Sequence, residues 1–105
     1  MQTEVSILHH DYPARVRDHV ETKLQGLHRF FDRVISMRAR LERQRDDHRV
    51  EIVANVGRGA PLVVEATGEA FKAALEEATD RMARLLKKHN AKLTHERRRV
   101  GRPGH

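Results

Sequence analysis

Apolar residues in the first third of the chain follow two different periods. Residues 3–8 alternate, with Val5 and Ile7 on one side, as in a half-buried strand. After Tyr12-Pro13, which places a proline where a helix can begin, apolar residues recur every three or four positions. At ~100° per residue they fall within an arc of roughly 80°, and they are Val16, Val20, Leu24, Leu27 and Phe31. The pattern predicts a strand followed by an amphipathic helix.

From Val34 onward the apolar period changes to two. The alternating segments are 34–42, 50–56 and 62–66, and they are separated by the polar stretch RQRDDH and the turn sequence GRGA. These segments predict an antiparallel meander. A second helix is predicted to begin near Gly68 and to end at about Asn90 or slightly beyond. Its inner face is predicted to contain Phe71, Ala74, Leu75, Ala78, Met82, Leu85 and His89.

The element order is therefore β-α-β-β-β-α, an α+β fold. Each strand has one apolar face and each helix one apolar stripe, so both helices are expected to pack on one face of a four-stranded sheet. Residues 1–93 are expected to form this single domain. The polar and basic residues 94–105 are expected to be a mobile tail.

Composition restricts the possible classes of protein. The chain has 105 residues, enough for one core, and its 4% aromatic content means that the core is aliphatic. It has no cysteine, which excludes disulfides and thiolate metal sites, and it has no long apolar run of the kind that spans a membrane. We expect a cytoplasmic protein without a membrane partner.

Positive charge is concentrated at the C-terminal end. The formal net charge is +6, yet residues 81–105 contain nine Lys/Arg and one acid, which leaves 12 bases and 14 acids in residues 1–80. The stretch RMARLLKKHNAK contains Arg81, Arg84, Lys87, Lys88 and Lys92 without an acid between them. A helix macrodipole favours bases only near the last turn, by ~0.3–1 kcal/mol each. The cluster therefore favours a polyanionic partner, although a solvated helix end is the alternative.

The first helix adds cations that can extend this surface. Arg15, His19 and Lys23 line up along one flank, although Asp18 and Glu21 dilute them. Taken alone, this flank is typical of a solvated helix face. If the two helices pack side by side, their cations can form one strip wide enough for a phosphate backbone. Few aromatic residues are available for base stacking, so phosphate and shape recognition are expected to dominate.

Metal binding and catalysis find little support in the sequence. His9 and His10 are adjacent, so in a strand they would point to opposite faces, and no second motif accompanies them. Gly57-Arg58-Gly59 lacks the Lys-Ser/Thr sequel of a phosphate loop and is explained by a hairpin turn. We expect neither an enzyme nor a cofactor, a metal site or a small-molecule substrate.

The whole pattern resembles the ribosome hibernation-promoting factor and protein Y family, also known for modulation of sigma-54. The resemblance covers nearly all of residues 1–95 and rests on ARVRDHVETKLQGLHRFFDRV, on RVEIVANVGRGAPLVVEATGEAFKAALEEATDRM and on ARLLKKHNAKL. Its most telling elements are Phe31-Asp32 at the end of the first helix and the runs DRMAR and KH in the second. No catalytic signature is among them.

The resemblance implies binding to the small ribosomal subunit, on 16S ribosomal RNA in the channel for messenger and transfer RNA, which blocks translation in non-growing cells. It implies RNA contacts by basic residues of both helices, here Arg15, Lys23, Arg81, Arg84, Lys87, Lys88 and Lys92. The chain resembles the short members, so any pairing of ribosomes would need a separate dimerising factor. Its basic tail departs from the acidic extension of some relatives.

Two other functions remain open at this point. The double-stranded RNA-binding domain has an α-β-β-β-α order that is contained in this one, but its second helix normally begins with lysines, whereas this helix begins GEAFKAALEE. The other alternative is a protein-interaction regulator of the sigma-54 modulation type, whose basic end would contact an acidic protein.

Overall fold

The computed structural model describes residues 1–8 and 11–100 of the chain, with side chains up to His95. The elements follow the predicted order β-α-β-β-β-α, with a short 3-10 turn after the first helix. They are β1 (Gln2–Leu8), α1 (Ala14–Leu27), the 3-10 turn (His28–Phe30), β2 (Ser36–Gln44), β3 (Asp47–Asn55), β4 (Leu62–Gly68) and α2 (Phe71–Val100).

The four strands form one sheet in the order β1-β2-β3-β4. β1 runs parallel to β2 because α1 connects them, whereas β2-β3 and β3-β4 are antiparallel hairpins. The register aligns one row across the sheet, Val5, Ala39, Ile52 and Val64. All four side chains are buried, so the alternation in the sequence correctly identified the face that carries the helices.

Both helices cover this face with their apolar stripes. Val20, Leu24 and Leu27 of α1 are buried, and so is a stripe of α2 composed of Ala74, Leu75, Ala78, Met82 and Leu86. Leu85, predicted on the inner face, does pack against the core but is only partly buried, whereas the neighbouring Leu86, which the prediction did not include, is fully buried. At ~100° per residue, Leu86 lies about 40° from Met82 and Leu85 about 60° to the other side, so the helix contacts the sheet through the closer position.

The second helix continues well beyond its predicted end, to Val100. Leu93 is the last residue, among those with described side chains, that packs against the core. Thr94 and His95, the last residues with described side chains, are exposed, so within the described part the packing that normally supplies most helical stability ends at Leu93. Mobility of residues 94–105 stays a prediction, and residues 101–105 lie outside the described part of the chain.

The connection between β2 and β3 is shorter than the polar sequence indicated. Both strands extend into RQRDDH, with Gln44 opposite Asp47, so only Arg45 and Asp46 form the turn. Arg45 adopts a positive φ of 54°, an uncommon conformation for a residue other than glycine. Polar composition therefore did not mark the strand ends here, because the open sheet face is polar as well.

Each edge strand accepts a hydrogen bond from a helix arginine. Arg17 of α1 donates from Nη1 to the carbonyl oxygen of Val5 in β1 at 2.5 Å. Arg81 of α2 donates to the carbonyl oxygen of Glu65 in β4. The two helices are thus fixed to opposite edges of the sheet by the same kind of contact.

Candidate nucleic-acid interface

The orientation of α1 directs its basic flank toward α2. On its other flank, Arg17 and Gln25 contact β1, through Val5 and Thr3. Arg15, His19 and Lys23 lie on the opposite side of the same helix. The sequence correctly grouped these three residues, and the structure places them along the seam between the helices.

Two adjoining hollows form a groove along this seam, and His19 lines both of them. We call it the interhelical groove. The larger hollow, of about 400 Å³, is lined by Lys23, Gly26, Arg29, Phe30, Asp80 and Ala83, among others. The smaller, of about 290 Å³, includes Arg15 and Lys72. Lys72 precedes the basic run in sequence, so its position at the groove was not anticipated.

Phe30, in the 3-10 turn that follows α1, contacts α2 at one end of the groove. The guanidinium carbon of Arg29 and the ammonium nitrogen of Lys87 each lie 4.7 Å from the centre of its ring. Such cation-π contacts contribute ~0.5–1 kcal/mol at exposed sites, which orients a cation without removing it from solvent. Sequence reasoning missed the role of Phe30. The available signal was that Phe30 stands outside the apolar stripe of α1, next to the stripe residue Phe31.

Arg81 is engaged within the protein. Its guanidinium forms an ion pair with Glu77 at 2.5 Å, in addition to the hydrogen bond with the Glu65 carbonyl. Its side chain is 46% exposed, so RNA can still reach it, but only in competition with these partners. Of the predicted RNA-binding residues, Arg81 is therefore the one that the fold already uses.

The remaining predicted cations of α2 are exposed. Arg84, Lys88 and Lys92 form no ion pair or side-chain hydrogen bond with any residue whose side chain is described. By helical spacing, Lys88 and Lys92 lie on the flank of Arg81, whereas Lys87 lies on the flank of α1 and Arg84 points outward between them. The predicted cations thus occupy two flanks and the ridge between them, rather than one strip.

One carboxylate lies among the cations of the interhelical groove. Asp80 lines the larger hollow together with Lys23 and Arg29. It forms neither an ion pair nor a hydrogen bond with any side chain in the described part of the chain. The acids that do pair are Glu42, Glu65 and Glu77, and all three lie outside the groove.

The open face of the sheet has its own charge network. On this face Arg49 forms ion pairs with Glu42 and Glu65, at 3.7 and 2.5 Å. Arg49 lies between the two acids, directly opposite Glu42 and one diagonal step from Glu65. The hydrogen bond from Arg49 lowers the pKa of the Glu65 carboxyl and raises that of the guanidinium.

An aromatic cluster lies near the first residue of α2. The Tyr12 hydroxyl and Nδ1 of His48 are 2.6 Å apart, and the Phe71 ring lies 5.0 Å from that of Tyr12. Burial raises the pKa of the Tyr12 phenol. Further along α2, His89 packs edge-on against Phe31 at 5.0 Å, which confirms the prediction that it is a packing residue. The rings of Tyr12, Phe31 and Phe71 thus pack between elements of the fold, whereas Phe30 lines the interhelical groove.

The described residues contain neither a cluster of potential metal ligands nor a membrane-spanning helix. No three His, Asp or Glu side chains come together there as a metal site would require. His9 and His10, the pair considered from the sequence, lie outside the described residues. No described helix has an apolar stretch long enough to cross a bilayer.

Comparison with known proteins decides the family. Residues 3–94 match the profile of the family described as "Sigma 54 modulation protein / S30EA ribosomal protein". The chain belongs to this family. Among its relatives is the ribosome hibernation promoting factor of Azotobacter vinelandii, 33% identical over 92 residues that cover 88% of this chain and 85% of the relative. The corresponding protein of Pseudomonas putida is 28% identical, with 88% and 89% covered.

Two solved structures have the same fold. The N-terminal domain of Thermus thermophilus protein Y superposes with a TM-score of 0.76 at 26% identity, over 85% of this chain and 99% of that domain. A ribosomal subunit interface protein from Coxiella burnetii gives a TM-score of 0.75 at 16% identity, over 87% and 99%. The resemblance seen in the sequence is therefore confirmed, as is the α+β architecture.

Proposed function

We propose that this protein is a ribosome hibernation factor that binds the small subunit on 16S ribosomal RNA, in the channel for messenger and transfer RNA, and blocks translation in non-growing cells. The observation that carries the proposal is a group of exposed cations on α2, namely Arg84 on the ridge with Lys87 and Lys88 on either side of it, in a chain of the S30EA family. Relatives that carry the name ribosome hibernation promoting factor support it.

The proposed mechanism is occlusion rather than chemistry. These cations, together with Arg15 and Lys23 at the groove and Lys92 on the Arg81 flank, neutralise phosphates of folded RNA and release counterions. Backbone contacts of this kind position a protein, and the shape of the RNA determines where it can bind. A ligand held in the channel by several such contacts excludes messenger and transfer RNA without any catalytic residue.

A charge-reversal variant tests the proposal. Replacing Arg84, Lys87 and Lys88 by Glu should abolish co-sedimentation with purified small subunits. Thermal unfolding should change little, because all three side chains are exposed. A matched control reverses Arg43, Arg45 and Arg58, which are exposed in or beside the sheet turns, so both variants have the same formal net charge. Loss of sedimentation only in the first variant supports the proposal, and equal behaviour of the two variants contradicts it.

Salt dependence separates RNA binding from the protein-interaction alternative that the family description includes. With ~5 phosphate contacts the affinity should fall by a factor of ~10²–10³ between about 50 and 200 mM salt. A few exposed ion pairs with an acidic protein contribute only ~0–1 kcal/mol each and would give a shallower dependence. A gradient profile of ribosomes with the purified protein at both salt concentrations measures the difference.

A further inference from the structure

The interhelical groove has a composition that phosphate binding alone does not explain. Its larger hollow combines cations, Lys23 and Arg29, with an aromatic ring, Phe30, and a carboxylate, Asp80. A carboxylate repels phosphate, so it weakens a surface that only neutralises the RNA backbone. Asp80 also has no ion pair within the described part of the chain, so an internal structural contact does not account for it.

These groups match the chemistry of a nucleobase. Unpaired RNA bases bind proteins by stacking on aromatic rings or guanidinium planes and by hydrogen bonds along their Watson-Crick edges. Phe30 with Arg29 above its ring supplies a stacking surface. The unpaired Asp80 carboxylate supplies two acceptor oxygens, and guanine is the base whose Watson-Crick edge presents two adjacent N–H donors.

We propose that the larger hollow of the interhelical groove binds one unstacked guanine of ribosomal RNA, with Asp80 accepting hydrogen bonds from its Watson-Crick edge. The base stacks on the Arg29-Phe30 pair, and Lys23 and Lys87 bind the adjoining phosphates. The volume of about 400 Å³ lies in the range of small-ligand sites and admits a single nucleotide. This assignment rests on the function proposed above and adds a determinant of position, since the cations of the ridge cannot distinguish one base from another.

Gly26 provides a way to close the hollow without disturbing the fold. It lines the hollow, and a Cβ atom built on it would meet no atom within 4 Å. The variant Gly26→Leu therefore places a side chain where the base would lie, in the last turn of α1, where leucine also favours helix more than glycine does. Asp80→Asn removes the second acceptor while retaining the shape, and Asp18→Asn on the outer face of α1 is its matched control.

The first experiment measures binding of the four nucleoside monophosphates to the free protein by NMR. GMP should shift the resonances of Phe30 and Asp80 and should bind about 5- to 100-fold more tightly than AMP, CMP or UMP, as expected for bidentate readout of one base. Asp80→Asn should remove this preference, and Asp18→Asn should keep it. Equal affinity of the four nucleotides for the unmodified protein would overturn the proposal.

The second experiment separates this proposal from the function on which it rests. Small subunits saturated with protein are treated with kethoxal, which modifies the Watson-Crick edge of unpaired guanine. One guanine should be protected by the unmodified protein and by Asp18→Asn, but reactive in complexes with Asp80→Asn or Gly26→Leu that still co-sediment. Identical patterns for all four complexes would overturn the guanine site and leave ribosome binding intact. Failure of the unmodified protein to co-sediment would overturn both.

Discussion

The two flanks of α2 carry similar cations in different situations. On the β4 side, Arg81 is fixed by the Glu77 carboxylate and the Glu65 carbonyl. On the α1 side, the ammonium group of Lys87 lies over the Phe30 ring and forms no ion pair with any described side chain, which leaves it available to a phosphate. The difference teaches that a basic run in a sequence gives the number of cations but not their availability. Acids and carbonyls on neighbouring elements decide which of them stabilise the fold.

The largest expected effect is a loss of stability on truncating the buried apolar stripe of α2, which separates its two flanks. Leu86→Ala should lower the free energy of unfolding by about 2–5 kcal/mol, because Leu86 is fully buried and its truncation leaves a cavity. Leu85→Ala, at the adjacent and partly exposed position, should cost about 1 kcal/mol or less. Urea denaturation of both variants measures this. Similar losses would mean that the rotation of α2 about its axis, and hence the assignment of the flanks, is incorrect.

The next largest expected effect is a loss of affinity for the small subunit on removing a cation from the side of α2 that faces α1. Lys87→Gln should weaken binding to small subunits about 10- to 100-fold, since hydrogen bonds to charged groups contribute ~1.5–3 kcal/mol. Its stability should change little, because Lys87 is exposed and its ammonium group, among the described side chains, contacts the Phe30 ring without forming an ion pair. Quantitative sedimentation and thermal unfolding of the same preparation give both values. A stable variant with undiminished binding would remove Lys87 from the interface.

Arg81 should show the opposite behaviour. Arg81→Gln loses the contact with the Glu65 carbonyl and should reduce stability by about 1 kcal/mol. Its effect on ribosome affinity should stay within about threefold. Glu77→Gln is the control, because it removes the exposed ion pair, worth ~0–1 kcal/mol, and keeps the contact with the carbonyl. A loss of affinity at Arg81 as large as at Lys87 would show that both flanks bind RNA equally.

The smallest effect is a dependence of stability on pH at the edge strand next to Arg81. Because Arg49 lowers the pKa of Glu65 below its usual value of about 4.5, the carboxylate stabilises the folded state above that value. This contribution is lost as the pH falls through the lowered pKa. The Tm of the unmodified protein should exceed that of Glu65→Gln by at most a few degrees near pH 7, and the difference should vanish in acid. A constant difference across this range would contradict the assignment.

Much of the fold could be read from the sequence because its periods are regular. Alternation in residues 37–41 and 50–56 identified the buried sheet face correctly, including Ala39 and Ile52, but Ile35, which the same alternation places on that face, is 54% exposed. The prediction included Leu85 but missed the more deeply buried Leu86, because both are apolar and lie within about 60° of Met82, so only packing against the sheet decides between them. The end of α2 was placed too early because polar composition does not distinguish an exposed helix from a tail.

The candidate site could be predicted only in part, for a similar reason. Helical spacing correctly placed Arg15 and Lys23 on one flank of α1 and predicted that Arg84 is exposed. It carries no information about contacts with side chains or carbonyl groups of distant elements. The contact of Arg81 with Glu65 and that of Lys87 with Phe30 join segments far apart in the chain. The position of Asp80 also depends on distant elements. In the sequence it is an acid that precedes a basic run, whereas in the structure it lines the interhelical groove.

The arginines fixed to β1 and β4 have a consequence for the behaviour of the protein at high concentration. An unprotected outer strand can recruit a strand from another molecule, and repetition of that step leads to fibrils. In this fold Arg17 and Arg81 each occupy a carbonyl of an outer strand and place a positive charge beside it. A strand of another molecule cannot pair with a carbonyl that is already occupied, so we expect these borders to resist the strand addition from which fibrils grow.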